Sequence, residues 1–204
     1  KEATAHTGNP KEGDYIRANT LGYSFDYSSG YDNGAIYTEV VFMPEFISTA
    51  EMEAEVDKAV ADLLAELDLW DASDYRKIKG IYDWMTDKIR YDHDWDDIDS
   101  NKGYYPHTTY AAIIDHLAVC QGIASLYYRL MLELGIDCRY ITGMTNIEHH
   151  AWNIVRLDGN YYNCDPTWDL SLTNYYRNFL CTEANFGDHA RDSGYKTSEF
   201  YEKY

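Results

Sequence analysis

The sequence predicts an α+β protein in which helices precede an antiparallel sheet. Apolar residues recur at helical spacing over 49–68, 74–90 and 120–134. Downstream, Asp158-Gly159 separates two apolar runs, which is the strongest short-range signal for a hairpin. No internal repeat, low-complexity tract or obvious linker interrupts the 204 residues. The chain therefore reads as a core over 71–204 with an N-terminal extension, 1–70, packed on it.

Taken in order, residues 1–20 are polar, with Gly8, Pro10 and Gly13, and read as an irregular lead-in. Leu21–Ser28 and Ala35–Met43 are rich in Tyr, Phe, Ile and Val and flank a turn-rich segment, so they read as two strands, the second ended by Pro44. Ser48 followed by Glu51 is a capping-box pattern opening the helix over 49–68. Ser73 caps a second helix, with Ile78, Ile81, Met85 and Ile89 on its core face. Thr108–His116 reads as a short helix, and Cys120–Leu134 as the buried central one, stopped by Gly135. Strands are expected over 136–144, 150–157, 160–165 and 175–181, with a short helix over 182–188.

Composition narrows the partners. A net charge of −18 argues against nucleic acid and anionic membranes. No apolar run approaches the ~20 residues of a membrane span. Lys1 is preceded by neither Met nor a signal segment, which reads as a mature or trimmed chain; together with the acidic, Tyr-rich composition it suggests a secreted or surface-tethered protein. The 21 tyrosines suit either a wet surface or a binding groove. Five aspartates between Tyr91 and Gly103 invite a calcium reading, but the EF-hand glycine and glutamate are out of place, so a solvated loop is expected and no metal is assigned. Cys120, Cys138, Cys164 and Cys181 contain no C-x-x-C, and no cofactor is called for. Oligomeric state is left open.

The chemistry gathers around Val119-Cys120-Gln121-Gly122. A thiol at a helix start meets unsatisfied backbone N–H groups and the positive dipole end, which favour thiolate. Its own backbone N–H faces any oxyanion formed there. The register of the downstream hairpin supplies the partners. With Asp158-Gly159 as a two-residue turn, Ile154 faces Asn163 and Trp152 faces Asp165. His150 and Asp165 then become diagonal neighbours on one face, the placement in which a carboxylate fixes an imidazole's tautomer. His149 falls on the opposite face.

Thr109-Tyr110-Ala111-Ala112, Val119-Cys120-Gln121-Gly122-Ile123-Ala124, His150-Ala151-Trp152-Asn153-Ile154-Val155, Asp158-Gly159 and Asp165-Pro166-Thr167-Trp168-Asp169 together resemble the transglutaminase-like superfamily, and its small bacterial members most. The likeness covers about residues 74–190. It implies a papain-like α+β core with Cys120 as nucleophile, His150 as base and acid, and Asp165 as orienting carboxylate. It also implies a second oxyanion donor upstream of the cysteine, for which Tyr110 is the first candidate and Gln121 the second. Trp152 is placed beside the Cys-His pair as a substrate-groove residue. One departure is that Ile123-Ala124 stand where an aromatic residue often follows the glycine. The resulting expectation is thiol-dependent acyl transfer on a peptide or amide, with water as acceptor. The alternatives are amine transfer, as in a protein-glutamine transglutaminase, and a non-catalytic peptide- or glycan-binding module on the same fold.

Overall fold

A computed structural model of the chain describes residues 4–96, 102–170 and 176–204. Among the described residues, helices α1 (Asp14–Asn19), α2 (Ala50–Leu67), α3 (Asp74–Lys88), α4 (Cys120–Glu133), α5 (Pro166–Asp169) and α6 (Ser198–Lys203) accompany eight strands. Strands β5 (Cys138–Thr145), β6 (His149–Leu157), β7 (Asn160–Cys164) and β8 (His189–Arg191) form an antiparallel sheet in the order β7-β6-β5-β8. Strands β3 (Arg90–Tyr91) and β4 (Leu117–Ala118) make a short parallel pair. Strands β1 (Thr20–Asp32) and β2 (Ala35–Phe46) form a separate ribbon.

Helix α4 is the hub because its apolar residues extend around most of its circumference: Ile123, Leu126, Tyr127, Leu130 and Met131 are all fully buried. A helix apolar all round has to be enclosed. Helix α3 contributes Ile78, Ile81, Tyr82 and Met85 to that enclosure, and the sheet contributes Cys138, Ala151 and Val155. The other face of the sheet is covered by a smaller cluster of Ile141, Trp152, Ile154, Phe186, Tyr195 and Phe200. Asn153 stitches helix to sheet, donating from Nδ2 to the Ala124 carbonyl at 3.0 Å and the Arg139 carbonyl at 3.3 Å.

The β6–β7 register is the one expected: Leu157 pairs with Asn160, Arg156 with Tyr161 and Ile154 with Asn163. Asp158 and Gly159 have φ of 51° and 84°, the paired positive angles that a two-residue turn of this hand requires.

Several local features differ from the sequence expectation. The lead-in contains α1, too short to show a periodicity and held by charge. Asp14 is fully buried, and Arg139 donates to it from Nε at 2.7 Å and from Nη2 at 3.2 Å. The cap of α2 is Thr49, not Ser48; its hydroxyl accepts from the Met52 N–H at 3.3 Å. The ribbon strands run longer than expected because Asn33-Gly34, with φ of 49° and 83°, is itself a two-residue turn. Pro44 lies within β2, opposite Tyr23. Residues 111–115 form a π-helical turn rather than a regular helix. Of the expected strand 175–181, residue 175 lies outside the described residues and only Cys181 pairs, as a single bridge to Asn163. The helix expected over 182–188 is a 3₁₀ turn at Glu183–Asn185. In the acidic loop, 97 and 99 lie outside the described residues, while the Asp92 carboxylate is engaged by Lys102 Nζ at 2.7 and 2.8 Å.

Asp14→Ala strands the Arg139 guanidinium in the interior, which costs about 3–5 kcal/mol. Urea unfolding should show that loss, and pairing it with Arg139→Met should recover part of it.

Candidate active site

Cys120 is the first residue of α4, following Val119 in extended conformation. At that position its N–H has no carbonyl four residues back within the helix, so it points outward. The thiol is partly exposed and unbridged, as is that of Cys181; Cys138 and Cys164 are buried free thiols. Gly122 makes the approach to this helix end possible. A Cβ there would meet the Thr108 carbonyl oxygen at 2.6 Å and that of Pro106 at 3.0 Å. The glycine of the C-Q-G run thus lets the 104–110 segment lie against the nucleophile.

His150 stands at the start of β6 and is almost fully buried. Its Nε2 lies 2.8 Å from Asp165 Oδ2, and it shares the lining of one cleft with Cys120, whose charge also acts on it. With Nε2 on the carboxylate, Nδ1 is the nitrogen left for sulfur. Asp165 is fully buried where β7 gives way to α5. Its Oδ1 accepts from the Thr167 N–H at 2.9 Å, capping α5, while its own N–H donates to the Asn178 carbonyl at 2.8 Å.

Burial opposes charge on both groups, and their mutual attraction wins. For His150, desolvation lowers the pKa, but the Asp165 charge and hydrogen bond, then Cys120, raise it to about 10. For Asp165, desolvation raises the pKa, but the His150 charge and the hydrogen bonds from His150 and His189 bring it down to about 2. The two therefore form an ion pair across the neutral range.

A third member of this cluster left little trace in the sequence. His189, on β8, places Nε2 3.2 Å from the same Asp165 Oδ2 and Nδ1 2.9 Å from Asp188 Oδ1. A lone histidine in a three-residue strand carries no periodic signal, and only the β5–β8 pairing brings it to the site. That pairing depends on Gly143, where a Cβ would meet the Ala190 carbonyl oxygen at 2.2 Å. The ligating atoms of His150, Asp165 and His189 lie within 4.8 Å of one another, so they are the described residues able to hold a divalent cation. Each imidazole is already hydrogen-bonded to that carboxylate, and a cation would withdraw His150 from Asp165.

Cys120 and His150 line a cleft of about 230 Å³, together with Tyr91, Trp95, His107 and Glu148. Burial, and after it the Cys120 charge, pushes the Tyr91 phenol well up, so this wall presents a protonated O–H. Burial pushes the His107 imidazole down, which keeps it neutral.

Three expected roles change on this geometry. Tyr110 is directed to α2, where its hydroxyl donates to Glu55 Oε2 at 3.1 Å, and it does not line the cleft. Gln121 does line the cleft, but its amide N–H donates to the Ala18 carbonyl at 2.7 Å and its Oε1 meets His107 Nδ1 at 3.2 Å. Trp152 is 0% exposed, donates from its indole to Asn163 Oδ1 at 3.1 Å, and stacks on His150 at 6.2 Å between ring centroids. It backs the imidazole and offers no groove surface. His149 is exposed, 3.3 Å from Asp192.

Residues 61–166, more than half of the chain, match the family described as the transglutaminase-like superfamily. The chain belongs to the transglutaminase-like superfamily. Among curated relatives, the kyphoscoliosis peptidases of Mus musculus and Homo sapiens are 25% and 24% identical over 137 and 139 residues. Those alignments cover 61% and 62% of this chain, which spans about a fifth (20%) of the length of each relative. A solved structure described as a TGase superposes with a TM-score of 0.50 at 17% identity, covering 84% of this chain and 52% of that one. The fold is one of Cys-dependent peptidases and acyltransferases. Among the described residues, no helix is long and apolar enough to cross a membrane.

The depressed Asp165 pKa makes its contribution to stability fully present above the ordinary aspartate value, near 3.9, and lost as pH falls through about 2. The stability advantage of the wild type over Asp165→Asn should shrink by about 2 kcal/mol between roughly pH 5 and pH 1. Chemical denaturation of both proteins across that window measures it.

Proposed function

We propose that this protein is a cysteine amidohydrolase acting on peptide or protein substrates through Cys120, His150 and Asp165. The observation that carries the reading is the 2.8 Å contact between His150 Nε2 and Asp165 Oδ2 at the wall of the cleft that Cys120 also lines.

The Cys120 sulfur attacks the amide carbon as thiolate, its proton already held by His150 as the imidazolium paired with Asp165. The tetrahedral oxyanion is held by the Cys120 N–H, with the Tyr91 O–H as second donor in place of Tyr110. His150 then protonates the leaving amine, and a thioester remains on Cys120. Water, deprotonated by His150, attacks the thioester and releases the acid. Asp165 keeps the imidazole in the tautomer that accepts at Nδ1, and His189 holds Asp165 from its far side. Hydrolysis is preferred over amine transfer because Cys120 is partly exposed in its cleft, which leaves water a path to the thioester.

Cys120→Ala should lower peptide hydrolysis by on the order of 10³-fold or more. The leaving-group proton is available while His150 is charged, so kcat/KM should fall as pH rises through about 10. A quenched peptide library assayed from pH 5 to 11 reads both. Incubation with a glutamine peptide and a labelled primary amine tests the acceptor: Cys120-dependent incorporation exceeding hydrolysis would overturn the preference for water.

If His189 acts by holding Asp165, His189→Ala should lower kcat by about 10- to 100-fold with KM unchanged. His189→Gln keeps an N–H donor on the carboxylate and should restore most of the loss.

A further inference from the structure

The β1–β2 ribbon is the part of the chain least accounted for by the catalytic core. Two paired strands alone are at best marginally stable in water. Yet this ribbon leaves the body at Thr20, returns at Phe46, and is solvent-exposed along nearly its whole length.

Its register separates two unlike faces. The pairs Tyr23–Pro44, Phe25–Phe42, Tyr27–Val40, Ser29–Thr38 and Tyr31–Ile36 share one face. The pairs Gly22–Glu45, Ser24–Met43, Asp26–Val41, Ser28–Glu39, Gly30–Tyr37 and Asp32–Ala35 share the other. All four carboxylates of the ribbon, Asp26, Asp32, Glu39 and Glu45, therefore lie on the second face, and residues 20–46 contain no Lys or Arg. The first face has no charge at all.

Tyr23, Phe25, Tyr27, Tyr31, Ile36, Val40 and Phe42 on the first face are each 60–80% exposed. Seven such side chains amount to an apolar surface on the order of 800 Å². A typical monomer's largest apolar patch is about 300–600 Å². One side of a standard specific interface buries about 800 Å². The patch thus has the size of one complete interface half, and these side chains stay exposed among the described residues.

We propose that this face packs against the same face of a second copy of the chain, forming a two-fold dimer through stacked ribbons. Charge selects this occupant. Two molecules of net charge −18 repel wherever carboxylates meet. Here the carboxylates are turned to the outer face, and the apolar face is the one surface of the ribbon that meets its copy without apposing like charges. An isologous contact also needs only one kind of patch, used twice. Two twisted ribbons stacked face to face, about 10 Å apart, make a small sandwich whose core is these seven side chains from each copy.

Sedimentation velocity of the whole chain from about 1 to 100 μM tests the proposal. The expected result is twice the monomer mass across the upper part of that range. Phe25→Asp combined with Val40→Asp places charges on the apolar face and should yield a monomer. Ser24→Asp, on the opposite face, should leave the dimer intact. These positions lie outside the core, so circular dichroism and Cys120 alkylation should match wild type in all variants. A wild-type monomer at 100 μM overturns the proposal, as does a dimer that survives the Phe25→Asp, Val40→Asp pair.

Discussion

A bare carboxylate in a protein interior is costly, by several kcal/mol even after relaxation, and the catalytic end of this molecule is built around one. Asp165 has no exposed surface, and it is kept ionised by donors drawn from different parts of the chain. The imidazole of His150 arrives on β6, that of His189 on β8, and the Thr167 N–H on α5. The backbone of the same residue is tied as well. Its carbonyl lies 3.0 Å from the Tyr82 hydroxyl of α3, whose single proton is shared with Asp169 Oδ2 at 2.7 Å. Removing any one donor exposes the others to the desolvation cost of the charge. Neighbours that are far apart in sequence are thereby held in one geometry.

The nucleophile is positioned by a different means. The position of Cys120 is set by where α4 can begin, and that is decided by backbone contacts. The Val119 N–H donates to the Pro106 carbonyl at 3.0 Å, and Gly122 admits the carbonyls of Pro106 and Thr108 at distances no Cβ would tolerate. Asn153 then fixes α4 against β6, three residues along from His150. The thiol and the imidazole share one cleft because a helix start and a strand start are clamped independently to the same neighbours. This places the rigidity in the backbone, where side-chain rotamer changes in the cleft cannot loosen it.

How much of this was legible in the sequence follows from how each part is encoded. The His150–Asp165 placement could be read because a two-residue turn leaves a hairpin only one register, and side chains in a strand alternate strictly. The start of α4 could be read because apolar periodicity begins beside the cysteine. His189 could not, since its strand is three residues long and joins the sheet through a glycine whose role is purely steric. Tyr110 misled for a related reason. Between Tyr110 and Cys120 the chain passes through a π-turn and then turns at His116, in the left-handed region, so proximity in sequence to Cys120 gives no direction. Tyr91 enters the cleft through the short parallel β3–β4 pair, a contact between segments about 27 residues apart that no local pattern announces.

The distribution of charge links the core to the ribbon. Several of the few basic side chains are used inside the molecule. Arg139 is spent on Asp14, Arg129 on Asp57 and Glu133, and Arg191 reaches Glu183 at 2.8 Å. Each of these arginines is buried; Asp14 is enclosed with its partner, whereas Asp57, Glu133 and Glu183 keep part of their surface in solvent. The consequence is a surface more acidic than the composition alone implies, because cations have been withdrawn from it. On such a surface, contact between copies is opposed almost everywhere at low ionic strength. The uncharged face of the ribbon is exempt, since its polar residues are serine and threonine and its carboxylates point the other way. Added salt screens the repulsion between the bodies of two molecules while leaving apolar attraction in place or strengthening it. Association through that face should therefore tighten with ionic strength, the opposite of what an interface built on ion pairs would do.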